Sequence, residues 1–133
     1  MNAIMKKIKI QFSLLLFSFA IVMTSCSVLR GNYTRNWHGS DNPGHIYASF
    51  DGFNGHQDFN AMSFSGTKMK VKYSTDVAAG TMALVVTCNG VPVLDRDVTG
   101  TVRDSVIFDN PKHNPVQFTL KAKDAAGKFD ITY

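Results

Sequence analysis

From His45 onward, apolar and polar residues alternate with period two, and turn residues break the alternation about every eight to twelve positions. Successive side chains of a strand point to opposite faces, so this period describes strands buried on one side. Ile46, Ala48 and Phe50 alternate with Tyr47 and Ser49, and Asp51-Gly52-Phe53-Asn54-Gly55 supplies a turn. Residues 59–64 form a less regular strand, with a parity change near Ala61-Met62 that fits a bulge. In 68–73 the pattern is cleanest: Met69, Val71 and Tyr73 share one face and Lys68, Lys70 and Lys72 the other. Residues 82–88 are apolar on both faces, Ala83 and Val85 opposing Leu84 and Val86, which predicts a central strand covered on both sides. Asn89-Gly90 then carries the signature of a type I′ hairpin turn, where both central residues need positive φ. Its partner strand, 91–98, contains Pro92, which cannot donate to a ladder and therefore marks an edge or a bulged start. A short strand at 105–108 and a loop around Pro111 and Pro115 follow. Residues 117–123 alternate with Phe118, Leu120 and Ala122 inward, Ala125-Ala126-Gly127 turns the chain, and Phe129, Ile131 and Tyr133 complete the core. About eight strands with short connections predict an all-β fold, an antiparallel two-sheet sandwich.

The first residues follow another logic. Lys6, Lys7 and Lys9 precede an apolar run from Ile10 to Met23, interrupted by Gln11, Ser13 and Ser18, and Thr24-Ser25-Cys26 closes it. A helix crossing the hydrocarbon core needs about twenty apolar residues, so the run fits a cleaved signal better than a permanent span. The basic flank stays on the cytoplasmic side and the chain after it is exported. Small residues before a cysteine resemble a bacterial lipoprotein signal peptide ending in a lipobox, with Met23 where such signals most often have Leu. The resemblance implies cleavage after Ser25 and a diacylglyceryl thioether on Cys26, with an acylated amine. The alternatives are an uncleaved anchor and an ordinary signal in which Cys26 is incidental. The expected organisation is a signal peptide at 1–25, a lipidated cysteine and Gly/Asn/Pro-rich tether at 26–44, and a β-sandwich domain at 45–133. Within the tether, the bulk of Trp37 suggests that its second half folds back onto the domain, with a place at a lipid interface as the alternative.

Composition sharpens the picture. The chain carries fourteen Lys and Arg against ten acids, a formal +4, but three of the lysines lie in the signal, leaving +1 for the mature protein. That balance argues against a nucleic-acid partner. All ten acids are Asp, a residue of turns and caps rather than helices. Of the two cysteines, a lipidated Cys26 cannot pair, which leaves Cys88 a lone thiol; on the side of its strand that carries Met82, Leu84 and Val86 it is expected to be a small buried hydrophobe, with a reactive nucleophile as the alternative.

The segments HIYASFDGFNGHQDF, KMKVKYSTDVAAGTMALVV and FTLKAKDAAGKFDITY, the last ending in Gly127, Phe129, Ile131 and Tyr133, resemble a group of small, largely uncharacterised bacterial lipoproteins. The resemblance covers nearly all of the mature domain but consists of framework residues. It implies a jelly-roll-like or immunoglobulin-like sandwich and carries no catalytic signature.

Candidate chemistry is sparse. His38, His45, His56 and His113 lack the close pairing of a zinc site, although His45, His56 and an Asp are able to meet only through the fold. The turn from Asp51 to Asp58 offers oxygen ligands for calcium without the EF-hand pattern. Lys68, Lys70 and Lys72, joined by Lys121 and Lys123 if their strands are neighbours, form a basic stripe suited to an anionic partner; a solvated outer face is the plainer alternative. Asp95 and Asp97 share one side of a strand, as paired glycosidase carboxylates do, beside turn residues that suit a surface hairpin equally. Trp37, Tyr47 and Phe53 fall at loops or outward positions from which rings stack on sugars, and core packing is the alternative for each. No nucleophile elbow, phosphate loop, zinc motif or dinucleotide fingerprint is present, and no cofactor or metal is implied. The expectation is therefore a non-enzymatic lipoprotein of the cell envelope. It is held to the bilayer by acylated (palmitate-bearing) Cys26 and binds an envelope protein or glycan or plays a structural part. The alternative is a small hydrolase or hydrolase inhibitor using loop carboxylates. Ser27 stands where an Asp would favour inner-membrane retention in enteric lipoproteins, which places the protein on the outer membrane facing the periplasm, or on the cell surface.

Overall fold

Three long strands build the sheet, and each is too long to remain flat within so small a domain. The computed structural model describes residues 31–61 and 64–133; the expected signal peptide, Cys26 and the Met62 side of the expected bulge lie outside the described residues. The elements are β1 (Tyr33–Arg35), β2 (His38–Asn42), β3 (His45–Asn60), β4 (Lys68–Cys88), β5 (Val91–Asp97), β6 (Gly100–Asp109) and β7 (Val116–Thr132). All pairings are antiparallel, in the order β1-β3-β7-β4-β5, with β2 also on β3 and β6 also on β4.

This one hydrogen-bonded sheet is doubled over on itself. The rings of Phe118, near the start of β7, and Tyr133, just past its end, lie 5.2 Å apart, whereas an extended strand would separate those positions by about 50 Å. Phe59 late in β3 likewise meets Phe129 late in β7 at 5.9 Å. The first layer holds β2, 45–50 of β3, 68–77 of β4, β6 and 127–132 of β7; the second holds 55–60 of β3, 81–88 of β4, β5 and 116–123 of β7. Between the layers lie Ile46, Val71 and Ile131 from the first and Leu84, Val86, Phe118 and Leu120 from the second. The all-β antiparallel sandwich is thus the fold, its layers being two halves of one sheet.

The corners merge six of the expected eight or so strands into three, which leaves five from His45 onward among the described residues; β1 and β2 bring the described strands to seven. Register shifts fall between Phe50, Phe53 and Gly55 in β3 and between Val77, Ala79 and Thr81 in β4, while β7 passes Asp124 and Gly127 at positive φ. Phe50 pairs with Gly127, and Gly127 with Val77, so the irregularities line up across the sheet. Bulges of this kind let strands switch layers without leaving the ladder. The signals at 51–55 and 125–127 are therefore corners inside strands rather than turns between them.

The sheet begins earlier than expected. Residues 33–42, within the segment read as tether, pair with β3, and Trp37 stacks on Phe50 at 5.5 Å and meets Phe53 edge-on at 5.7 Å. Their strands are short and exposed, so no apolar alternation announced them. At the opposite edge, Asn89 and Gly90 both have positive φ and β5 pairs only with β4, with a register shift beside Pro92, as the hairpin and edge signals predict. Cys88 is a free thiol packed against the core.

The link from β5 to β6 is tied by carboxylates. Asp97 accepts the Thr99 amide at 2.8 Å, and Asp104 accepts the Ser105 amide at 2.8 Å together with the Arg96 guanidinium, which also donates to the Tyr73 hydroxyl. Both carboxyls are held below the usual range, Asp97 by the side chain and amide of Thr99, Asp104 by the Ser105 amide and then Arg96. A depressed folded pKa gives stability that is complete above the ordinary carboxylate value and is lost as pH falls through the folded one. The urea midpoint is expected to hold from pH 7 to about 5 and to decline below about pH 4. Asp97→Asn should flatten part of that decline; an identical pH profile in the variant would contradict the assignment.

Candidate functional site

The outward face of the first layer is polar in three consecutive cross-strand rows, apart from the ring of Tyr47. The register sets Ser40, Tyr47, Asp130, Ser74 and Arg103 side by side on β2, β3, β7, β4 and β6. One row along come His38, Ser49, Lys128, Asp76 and Thr101, and on the other side Asn42, His45, Thr132, Lys72 and Ser105. Period two makes these the solvent partners of the inward Ile46, Ala48, Val71, Tyr73, Phe129 and Ile131.

Across this face runs a groove of about 420 Å³ lined by His38, Tyr47, Ser74, Asp76, Arg103 and Lys128 among others. It continues through Ser74, Arg103 and Asp130 into a second hollow that reaches Lys72, Ser105 and Thr132. Tyr47 is 41% exposed, with its ring 4.8 Å from that of His45. The His45 Nε2 lies 2.8 Å from an Asp130 oxygen, and Thr101 donates to Asp76 at 3.3 Å. The face thus offers hydroxyls, two carboxylates in hydrogen bonds, three cations and one rigid ring. Such a surface is able to bind a polyol edge-on while stacking one apolar sugar face.

The structure sorts the residues proposed from sequence. Tyr47 and Lys72 belong to the groove face. Phe53 does not: at 1% exposure it is a core residue, held there because the β3 corner turns it inward. Trp37 is half-buried against Phe50, Phe53 and Phe129, so its ring closes the end of the core instead of facing a ligand. Lys68 and Lys70 share the outward side of β4 with Lys72, Lys68 within 4.0 Å of Asp109. Lys121 and Lys123 face out from the second layer, where they pair with Ala83 and Thr81, so the two lysine groups do not join into one stripe. Asp95 and Asp97 lie on the β5 edge, with Asp97 engaged by Thr99. His45 sits in the first layer and His56 in the second, beside Asn32 and Asp58; Asp51 accepts from Asn36, and Asp58 from Thr119. Among the described residues no three His, Cys or Asp side chains are placed to hold a metal ion. Arg103, Lys128, Asp130 and Ser74 carry no motif and escape sequence reading, because only the register of three strands, β4, β6 and β7, brings them together.

No protein-family model and no curated protein matches the sequence. Solved structures similar in chain path include a GH115 4-O-methyl-α-glucuronidase described as specific for decorated arabinogalactans. It is 10% identical with a TM-score of 0.43, over 77% of this chain and 17% of that one. A family 29 carbohydrate-binding module is 13% identical with a TM-score of 0.38, over 77% and 76% of the two chains. A family 35 carbohydrate-binding module from Clostridium thermocellum is 14% identical with a TM-score of 0.36, over 75% and 90%. At these identities and scores the likenesses assign no ligand to this chain.

Proposed function

We propose that this chain is a non-enzymatic glycan-binding module of the cell envelope, fastened to a bilayer by lipid on Cys26. It would face the periplasm from the outer membrane, or stand on the cell surface. The observation that carries the binding reading is the groove over the first layer, lined mostly by polar and charged residues together with the exposed Tyr47 ring. A protein partner would favour a contiguous apolar patch, but among the described residues the large exposed apolar side chains are scattered: Tyr33 on β1, Tyr47 on β3, Val91 at the hairpin and Ile107 on β6. The hydrolase alternative rests on Asp95 and Asp97. Asp97, held below the usual carboxylate range by Thr99, is a poor proton donor to a leaving group, so that role in such a pair would fall to Asp95 alone.

The detergent-solubilised full-length chain is expected to retain oligosaccharides on a glycan array. Tyr47→Ala should weaken retention about tenfold, the loss of one stacking contact, without unfolding a chain whose core Tyr47 does not enter. Retention of no glycan, or an unchanged Tyr47→Ala variant, would overturn this function.

A further inference from the structure

Resting on the glycan reading, we infer that one end of the groove is an anion-binding subsite, built by Lys72, Ser74, Arg103 and Ser105, that selects sugars bearing a carboxylate. The four residues occupy two adjacent strands and two adjacent rows: Lys72 pairs with Ser105, and Ser74 with Arg103. The cations therefore lie on one diagonal of a square and the hydroxyls on the other. Direct cross-strand neighbours stand about 5 Å apart at Cβ and diagonal ones about 7 Å, a frame that two carboxylate oxygens bridge. All four line the same hollow, which opens into the groove beside Tyr47 through Ser74, Arg103 and Asp130.

The charge is available. Among the described residues neither Lys72 nor Arg103 is in an ion pair, whereas Lys68 has Asp109 and Arg96 has Asp104. The Arg103 guanidinium is a planar fork suited to a carboxylate, and the Ser hydroxyls add further donors. Asp130, the carboxylate bordering the hollow, is turned to His45, with an oxygen 2.8 Å from Nε2. Asp104, which also borders it, is engaged by Arg96 and the Ser105 amide. The ligand must therefore present its acid at the β4–β6 end and its neutral ring toward Tyr47.

Oligogalacturonate and its methyl ester have the same rings and differ in charge, so their binding to the full-length protein separates the subsite from the groove. Oligogalacturonate is expected to bind at least about tenfold tighter than the ester. Arg103→Gln or Lys72→Gln should each remove about tenfold from the acid while changing the ester little. Lys121→Gln, on the opposite face, should change neither. Equal binding of acid and ester would overturn the subsite and leave the glycan reading standing; binding of neither would overturn both. Displacement of oligogalacturonate by inorganic phosphate at equal concentration would make phosphate the recognised group and overturn the carboxylate assignment.

Discussion

Gly80→Ala is expected to destabilise the domain by about 3 kcal/mol or more, a large share of the roughly 5–15 kcal/mol by which domains are stable. Gly80 sits in the β4 corner at φ +69, where an L side chain costs about 1–2 kcal/mol by itself. The added Cβ would also overlap the backbone carbonyls of Lys123 and Asp124 at the adjoining β7 corner. Backbone is the worst neighbour to meet, since no rotamer change relieves the overlap and any shift opens the ladder on both sides. Gly127 answers from the other side of the same corner, its absent Cβ leaving room for the Asp76 carbonyl. The control is Gly90→Ala in the hairpin turn, at φ +77 but with open space around it, where strain acts without overlap and about 1–2 kcal/mol is expected. Thermal unfolding followed by circular dichroism should show a fall of more than about 12 °C for Gly80→Ala and several degrees for Gly90→Ala. Equal shifts in the two variants would mean that the corners are not packed backbone to backbone.

That same corner marks how far the sequence is legible. Alternation identifies the inward faces of β3, β4 and β7 correctly, because burial is dictated by parity and parity is local. Glycine marks the corners, at Gly52 and Gly55 in β3, Gly80 in β4 and Gly127 in β7. What such residues cannot say alone is whether the ladder stops or bends there, since a turn and a bulge both ask for positive φ. The answer lies in the neighbours: Phe50, Gly127 and Val77 reach their irregularities at one level of the sheet, so all three strands fold over together. Trp37 shows the same limit from the opposite direction. Its ring is covered by Phe50, Phe53 and Phe129, which come from distant strands, while its own surroundings in the chain are polar. The groove is the least legible part. Parity shows that Lys72, Ser74, Arg103 and Asp130 point outward, but their adjacency depends on pairing β4 with β6 on one side and β7 on the other. Lys121 and Lys123 lie elsewhere for the same reason, placed by register on the far layer.

Replacing the Cys26 thiol by a hydroxyl (Cys26→Ser) is expected to abolish incorporation of labelled palmitate and to leave a precursor heavier by residues 1–25, whereas the natural chain should run at the mature mass plus its lipid. The apolar run from Ile10 to Met23 covers about 21 Å as a helix against about 30 Å of hydrocarbon, so it is a poor permanent span. Acyl chains differ in kind: each buried methylene contributes about 0.8 kcal/mol, and while one myristoyl group binds only marginally, two chains resist release. The lipidated protein should therefore stay in the membrane pellet through an alkaline carbonate wash. The compact unit starts at Asn32, so covalent geometry alone limits the reach from Cys26 to about 20 Å. That is shorter than the tether expected from composition, because residues 33–42 are used as strands. Palmitate on the Cys26→Ser variant, or a natural chain recovered at its full 133-residue mass, would remove the anchor and with it the envelope assignment.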